Sequence, residues 1–83
     1  MSSDRRVNLR RSWIMPGTVT NPGIPDQACI ISDFSNDGAK LHVRAAVFVP
    51  NEFTLRFSPE RGPPRDCRVL WRTDHQLGIQ FVE

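Results

Sequence analysis

The side chains best suited to binding a ligand lie in two short segments, a turn and an arginine-rich stretch at the start of the sequence. The turn has the pattern Asp33-x-Ser35-x-x-Gly38, which lets Asp33 and Ser35 face one ligand. The arginines are Arg5, Arg6 and Arg10. Guanidinium groups bind phosphate bidentately and pair with the acceptor edge of guanine, whereas carboxylate and hydroxyl oxygens accept hydrogen bonds. Together the two segments predict a site for an anion that also carries a base.

Positive charge is concentrated at the start of the chain. Four arginines against Asp4 give residues 1–11 a net charge of +3, whereas seven basic and eight acidic side chains give residues 12–83 a net charge of −1. This distribution favours a small anionic ligand over a nucleic acid polymer, which would need a basic stripe across the fold. A barrel that binds RNA or single-stranded DNA would also expose aromatic side chains, but the strand phenylalanines fall on faces predicted to be buried.

Composition limits the classes of protein that fit. A length of 83 residues predicts one domain, and no apolar run approaches the roughly 20 residues of a membrane-spanning helix. No apolar segment follows the first residues, so we expect no secretory signal, no membrane insertion and a cytoplasmic location. Cys29 and Cys67 stand in apolar runs without metal-ligand spacing, which predicts small buried hydrophobes. No catalytic constellation is evident, so neither enzyme activity nor a cofactor or metal is expected.

Alternation of apolar and polar residues predicts β-strands through the second half of the chain, because side chains of a strand point to opposite faces in turn. The residues predicted to face inward are Ala39, Leu41, Val43, Phe53, Leu55, Phe57, Cys67, Val69, Trp71, Leu77, Ile79 and Phe81. Trp71 is therefore predicted to belong to the core. Trp13 is open to two interpretations, shielding of the arm or stacking near a base.

Two further strands are predicted in the first half, over residues 12–20 and 27–34. Pro16-Gly17 is expected to interrupt the first strand or form a bulge, and residues 21–26 to form a turn. Residues 28–31 have the composition of a centrally placed strand, and residues 45–48 fit a short helical turn or a loop. Six strands with almost no helix predict an all-β barrel or sandwich, and a barrel is preferred because closure removes exposed edges.

The two motifs, in this order, resemble the PilZ domain family of bacterial cyclic di-GMP receptors. Residues 68–72 and 77–81 also resemble the last two strands of that family, so the resemblance spans essentially the whole chain. It implies a six-stranded antiparallel β-barrel over residues 12–83 that binds the dinucleotide on its outer surface. A flexible basic arm, residues 1–11, would wrap over the ligand.

The resemblance also implies roles for the motif residues. Arg5, Arg6 and Arg10 would contact phosphates and guanines. Asp33 would accept hydrogen bonds from guanine, and Ser35 would bond a base or a phosphate. Gly38 would have no ligand chemistry of its own and would let the backbone turn and approach closely. Asp4 departs from the pattern, because its carboxylate could compete for the guanidinium groups, and the number of nucleotides bound is left open.

The leading hypothesis is a single-domain cyclic di-GMP receptor that acts as an adaptor: the ligand orders the arm, and the ordered arm presents a surface to a partner protein. The alternative is a PilZ-like protein-interaction module that does not bind nucleotide. Each motif also has an interpretation that does not involve ligand binding. The arginines could form a solvated terminus that aids solubility, and the Asp33-to-Gly38 turn could serve only the fold.

Overall fold

The computed structural model describes residues 14–58 and 62–82, which form a closed antiparallel β-barrel. The strands are β1 (Met15–Asn21), β2 (Ile24–Ser32), β3 (Gly38–Val43), β4 (Glu52–Phe57), β5 (Arg65–Arg72) and β6 (Gln76–Phe81). One turn of 3₁₀ helix, Ala46–Phe48, connects β3 to β4. The strands pair in the order β1-β2-β3-β6-β5-β4 and close on themselves, which confirms the predicted six-stranded barrel. Within the two described ranges, no helix has the length and apolarity needed to cross a membrane.

The barrel interior is an apolar core supplied by every strand. Its fully buried side chains include Ile31, Leu41, Leu55 and Leu77, and no polar or charged residue of the described ranges is buried. Phe34 packs at one end, where its ring centroid lies 5.9 Å from that of Phe57 and 5.5 Å from that of Phe81. The alternation therefore predicted the inward faces of β3, β4 and β6 correctly.

Both cysteines belong to this core. Cys29 and Cys67 are free and buried. Burial raises the pKa of the Cys29 thiol to about 11 and that of the Cys67 thiol to about 12, because the thiolate is poorly solvated there. Both groups are protonated at neutral pH, which confirms that they act as small buried hydrophobes.

The first hairpin differs from its prediction in two respects. Pro16 and Gly17 lie within β1 in regular register with β2, so no interruption exists there. Pro16 is tolerated because the β1–β4 ladder begins only at Gly17. The turn is shorter than predicted: Asn21 already pairs with Ile24, and the Asn21 side-chain oxygen accepts a hydrogen bond from the Gly23 amide at 2.7 Å.

β2 is also half-exposed rather than central. Cys29 and Ile31 are buried, whereas Ala28 and Ile30, which alternate with them, are exposed. A strand buried on both faces needs a covering layer on each side, and a closed barrel gives every strand one interior face only. The apolar residues at 28 and 30 therefore lie on the outer wall.

A β-bulge at Leu70 reverses the direction of the side chains that follow it in β5. Val69 pairs with Ile79, but Trp71 pairs with Gly78 and Arg72 with Leu77. The extra residue places Trp71 on the outer wall, where it is 44% exposed. The prediction that Trp71 belongs to the core was wrong, because a one-residue insertion in one strand moves the following side chains to the other face.

The same bulge directs Arg72 toward the 3₁₀ turn, which it holds in place. Its Nη1 donates to the carbonyl oxygens of Ala46 at 2.8 Å and Val49 at 2.7 Å, and its Nη2 donates to Asn51 Oδ1 at 2.7 Å. Ala46 and Val49 are buried. The two residues between them are 69% and 71% exposed: Val47 and Phe48. Of the two interpretations of this segment, a short helical turn or a loop, the structure has the helical turn, and a guanidinium fixes it.

Replacing Arg72 with Met should lower the free energy of unfolding by about 1.5–3 kcal/mol, because three hydrogen bonds from a charged donor are lost. Urea denaturation monitored by circular dichroism measures the change. Arg56→Met is the matched control, since Arg56 makes only an exposed ion pair with Asp26 at 3.4 Å. That control should shift stability by no more than about 0.5 kcal/mol. Equal stability of the two variants would contradict the role given to Arg72.

Candidate functional site

The segment between β2 and β3 is a tight turn organised by Ser35. The Ser35 amide donates to the Gly38 carbonyl at 2.8 Å. The Ser35 hydroxyl oxygen accepts from the amides of Asp37 at 3.2 Å and Gly38 at 3.3 Å. Such bonds between a hydroxyl and the following amides define a serine-type turn. Ser35 therefore shapes the turn while its side chain stays exposed at the surface.

Asp33 and Gly38 meet two different backbone requirements of this turn, a left-handed conformation and a close approach to another strand. Asp33 takes the left-handed conformation, with φ of 51°, which Asp tolerates better than most residues. Gly38 provides the close approach, because a Cβ there would collide with the carbonyl oxygen of Ile79 on β6. The predicted close approach at Gly38 is thus real, and the partner it approaches is the neighbouring strand.

Asp33 makes an ion pair with Lys40. The Lys40 Nζ lies 3.6 Å from Asp33 Oδ2, and the two side chains are 36% and 53% exposed respectively. Because both groups are open to water, this pair contributes little to stability. It does hold the carboxylate at the mouth of the turn, on the side that faces the outer wall.

Four residues form one row across the outer wall beside this turn. Ser32, Lys40, Gly78 and Trp71 lie opposite one another in register on β2, β3, β6 and β5. Gly78 is covered by its neighbour, because a Cβ there would collide with Nε1 and Cε2 of the Trp71 indole. Because glycine has no side chain, it leaves the space in which the tryptophan ring lies flat against the sheet.

The turn and this row enclose a shallow depression of about 370 Å³. Its lining residues are Asp33, Ser35, Asp37, Gly38, Ala39, Lys40, Leu70, Trp71, Gly78, Ile79 and Gln80. Three residues predicted from the turn motif, Asp33, Ser35 and Gly38, therefore meet at one surface. The other predicted site residues lie outside the described residues: Arg5, Arg6 and Arg10.

Sequence reasoning missed Trp71 and Lys40 as members of this surface. For Trp71, the one available signal was Gly78, because a glycine inside a strand marks close approach of another group. For Lys40, the signal was its outward position two residues after the turn motif. The surface thus combines hydrogen-bond acceptors, one ammonium group and one aromatic face. That combination suits a ligand with a flat base and a negative charge.

Among the described residues, no group of three or more His, Cys, Asp or Glu side chains could hold a metal ion.

Comparison with known proteins identifies a family. A family model described as PilZ domain matches residues 4–83, which include all six strands, the turn and the three arginines predicted to bind the ligand. No curated protein and no solved structure gives a significant match to the chain.

Gly78→Ala should displace the Trp71 ring and leave the barrel intact, because the obstructing group is a side chain that can swing outward. In a Trp13→Phe background Trp71 is the sole tryptophan, so its emission should shift to the red and iodide should quench it more strongly. Gly38→Ala is the contrasting variant: the obstacle there is the β6 backbone, which predicts a loss of about 1–3 kcal/mol in stability. Unchanged emission in Gly78→Ala would contradict the described packing.

Proposed function

Since the chain belongs to the PilZ domain family, we propose that it is a receptor for cyclic di-GMP, the ligand that this family binds. PilZ domains are binding domains rather than catalytic ones, and we propose that this chain likewise acts by binding. One observation supports the assignment most directly: Asp33, Ser35 and Gly38 meet Trp71 at a single depression on the outer wall. A dinucleotide needs an open surface of this kind, because it is too large for a filled barrel interior.

The chemistry of the depression suggests which group of the ligand each side chain contacts. The Asp33 carboxylate, held at the mouth of the turn, would accept hydrogen bonds from the N–H groups of one guanine. The Trp71 indole, flat against Gly78, would stack on a base. Arg5, Arg6 and Arg10 would bind phosphates and the second guanine from the arm, as their guanidinium chemistry allows. Ser35 would bond a base or a phosphate, and Gly38 would keep the turn against β6.

The proposed signal is an ordering of the arm, residues 1–11, over the bound ligand. The ordered arm and the nucleotide would then form a new surface for a partner protein, which makes the chain an adaptor. The sequence supports this step through the net charge of +3 concentrated in the arm. The positive charge of the arm attracts a dianion. Without the ligand, the like charges of the arginines repel one another and oppose a compact arrangement of the arm.

A second candidate is a protein-interaction module without nucleotide binding, and one structural observation favours it. Val47 and Phe48 are exposed on a 3₁₀ turn that Arg72 fixes, at the end of β3 opposite the Asp33-to-Gly38 turn. Rigid exposed apolar side chains of this kind anchor protein interfaces. Asp4, next to the arginine pair, adds support from the sequence. Nucleotide binding separates the two candidates.

Isothermal titration with cyclic di-GMP should show saturable binding, and its stoichiometry gives the number of nucleotides bound. GTP and cyclic di-AMP are the controls for guanine and dinucleotide selectivity. Arg10→Ala should abolish or severely weaken binding. Trp71→Ala should weaken it by about 5- to 150-fold, the equivalent of losing one base stacked on an aromatic ring. An absence of both heat and thermal shift at high ligand concentration would reject the receptor and favour the interaction module.

Backbone amide resonances of residues 4–11 should change from narrow, poorly dispersed signals to dispersed ones when cyclic di-GMP saturates the protein. The reason is that each arginine contact to the ligand restricts the arm. Heteronuclear relaxation measures the change. Arg10→Ala at the same ligand concentration is the control and should keep its narrow signals. If the signals of residues 4–11 stay narrow and poorly dispersed in the saturated wild type, the ordering step is wrong. The proposal that the protein binds cyclic di-GMP would be unaffected by that result.

A further inference from the structure

We propose that Lys40 is an additional ligand-binding residue, and that it exchanges the Asp33 carboxylate for a phosphate of the ligand when cyclic di-GMP binds. This inference rests on the proposed function. It assigns a phosphate contact to a residue outside both sequence motifs. It also explains how Asp33, which is paired with a cation in the ligand-free protein, becomes available to a guanine.

The position of Lys40 brings its ammonium group to the ligand surface. Lys40 lies on the outer wall between Ser32 and Gly78, and its Nζ is 3.6 Å from Asp33 Oδ2. Because Trp71 covers Gly78 on β6, the lysine on β3 and the indole on β5 border the same depression from the two sides of β6. A base stacked on the indole with its edge toward Asp33 would bring the attached phosphate close to Lys40.

Charge balance in the described part of the site favours a role for this cation. The charged residues that line the depression are Asp33, Asp37 and Lys40, which sum to −1. Cyclic di-GMP carries two negatively charged phosphodiesters, and without Lys40 the charged lining residues would sum to −2 and repel it more strongly. Arg68 on β5, opposite Gln80, pairs instead with Glu52 at 3.8 Å.

The exchange costs little because the ion pair that it breaks is exposed. Water competes for both partners of the Lys40–Asp33 pair, and such pairs contribute marginally to stability. After the exchange, Lys40 donates a hydrogen bond to a phosphate oxygen and Asp33 accepts hydrogen bonds from guanine N–H groups. Both charged side chains therefore keep a favourable partner. In the ligand-free protein the pair keeps both groups near the places where they are needed.

The test compares Lys40→Met, Lys40→Arg and Arg44→Met in titrations with cyclic di-GMP at low and high NaCl concentrations. Arg44 is a matched control, because it is exposed just beyond the same strand, outside the depression, and its replacement changes the net charge equally. Lys40→Met should bind about 5- to 20-fold more weakly than Arg44→Met, as expected for a lost contact between charged groups near water. Its affinity should also depend less on salt. Lys40→Arg should bind within about threefold of the wild type, because it keeps the charge.

A second measurement follows the side chain itself. Lys40 is the only lysine in the chain, so labelling with lysine carrying ¹³C at Cε gives one signal for this residue. The signal should move on saturation with cyclic di-GMP. Replacement of Asp33 by Asn should also move it in the ligand-free protein, because that change breaks the ion pair.

Each outcome decides between distinct possibilities. A wild type that binds no cyclic di-GMP overturns the proposed function and this inference with it. A wild type that binds, together with Lys40→Met that binds as tightly as Arg44→Met, overturns the role of Lys40 alone. Tighter binding by Lys40→Met would mean that the lysine only competes for Asp33. An unmoved lysine signal at saturation would likewise exclude the exchange.

Discussion

Closure of six strands around one apolar core is the constraint on which the other features depend. The interior accepts every second side chain and is filled by residues such as Leu41, Leu55 and Leu77. Polar chemistry is therefore excluded from the inside, and the groups able to bind a ligand lie on the outer wall or at the turns. The candidate site is accordingly a shallow surface rather than a cavity, which suits a large flat ligand held by contacts from several elements.

The bulge at Leu70 has two effects on this wall. It turns Trp71 outward onto Gly78, where the indole becomes one side of the candidate site. It also directs Arg72 to the carbonyl groups of the 3₁₀ turn, which fixes Val47 and Phe48 at the opposite end of the barrel. One inserted residue thus shapes both surfaces that could recognise a partner, the depression beside the Asp33-to-Gly38 turn and the apolar 3₁₀ turn. Bulges commonly redirect side chains at functional sites in this way.

Electrostatics divides the proposed site between the barrel and the arm. The depression itself is slightly acidic, with Asp33 and Asp37 against Lys40, whereas the arm carries the excess of arginine. Neither part alone offers a dianionic dinucleotide both base recognition and charge neutralisation. Under the proposed function, such a division makes ligand affinity depend on bringing the two parts together.

The sequence by itself determined most of the strands, most of the core and the Asp33-to-Gly38 turn, because these follow from local patterns. Period-two alternation specifies which face of β3, β4 and β6 is buried, and the Asp-Ser-Gly spacing specifies the turn. The tertiary structure alone decided the direction of Trp71 and Arg72, the length of the first turn and the pairing of Lys40 with Asp33. The physical reason is that these features depend on how each strand pairs with its neighbour and, for Arg72, on a segment distant in sequence, neither of which the pattern within one strand specifies. A bulge exists only relative to the partner strand, and the ion pair between Asp33, which follows β2, and Lys40 on β3 exists only once these two strands are paired.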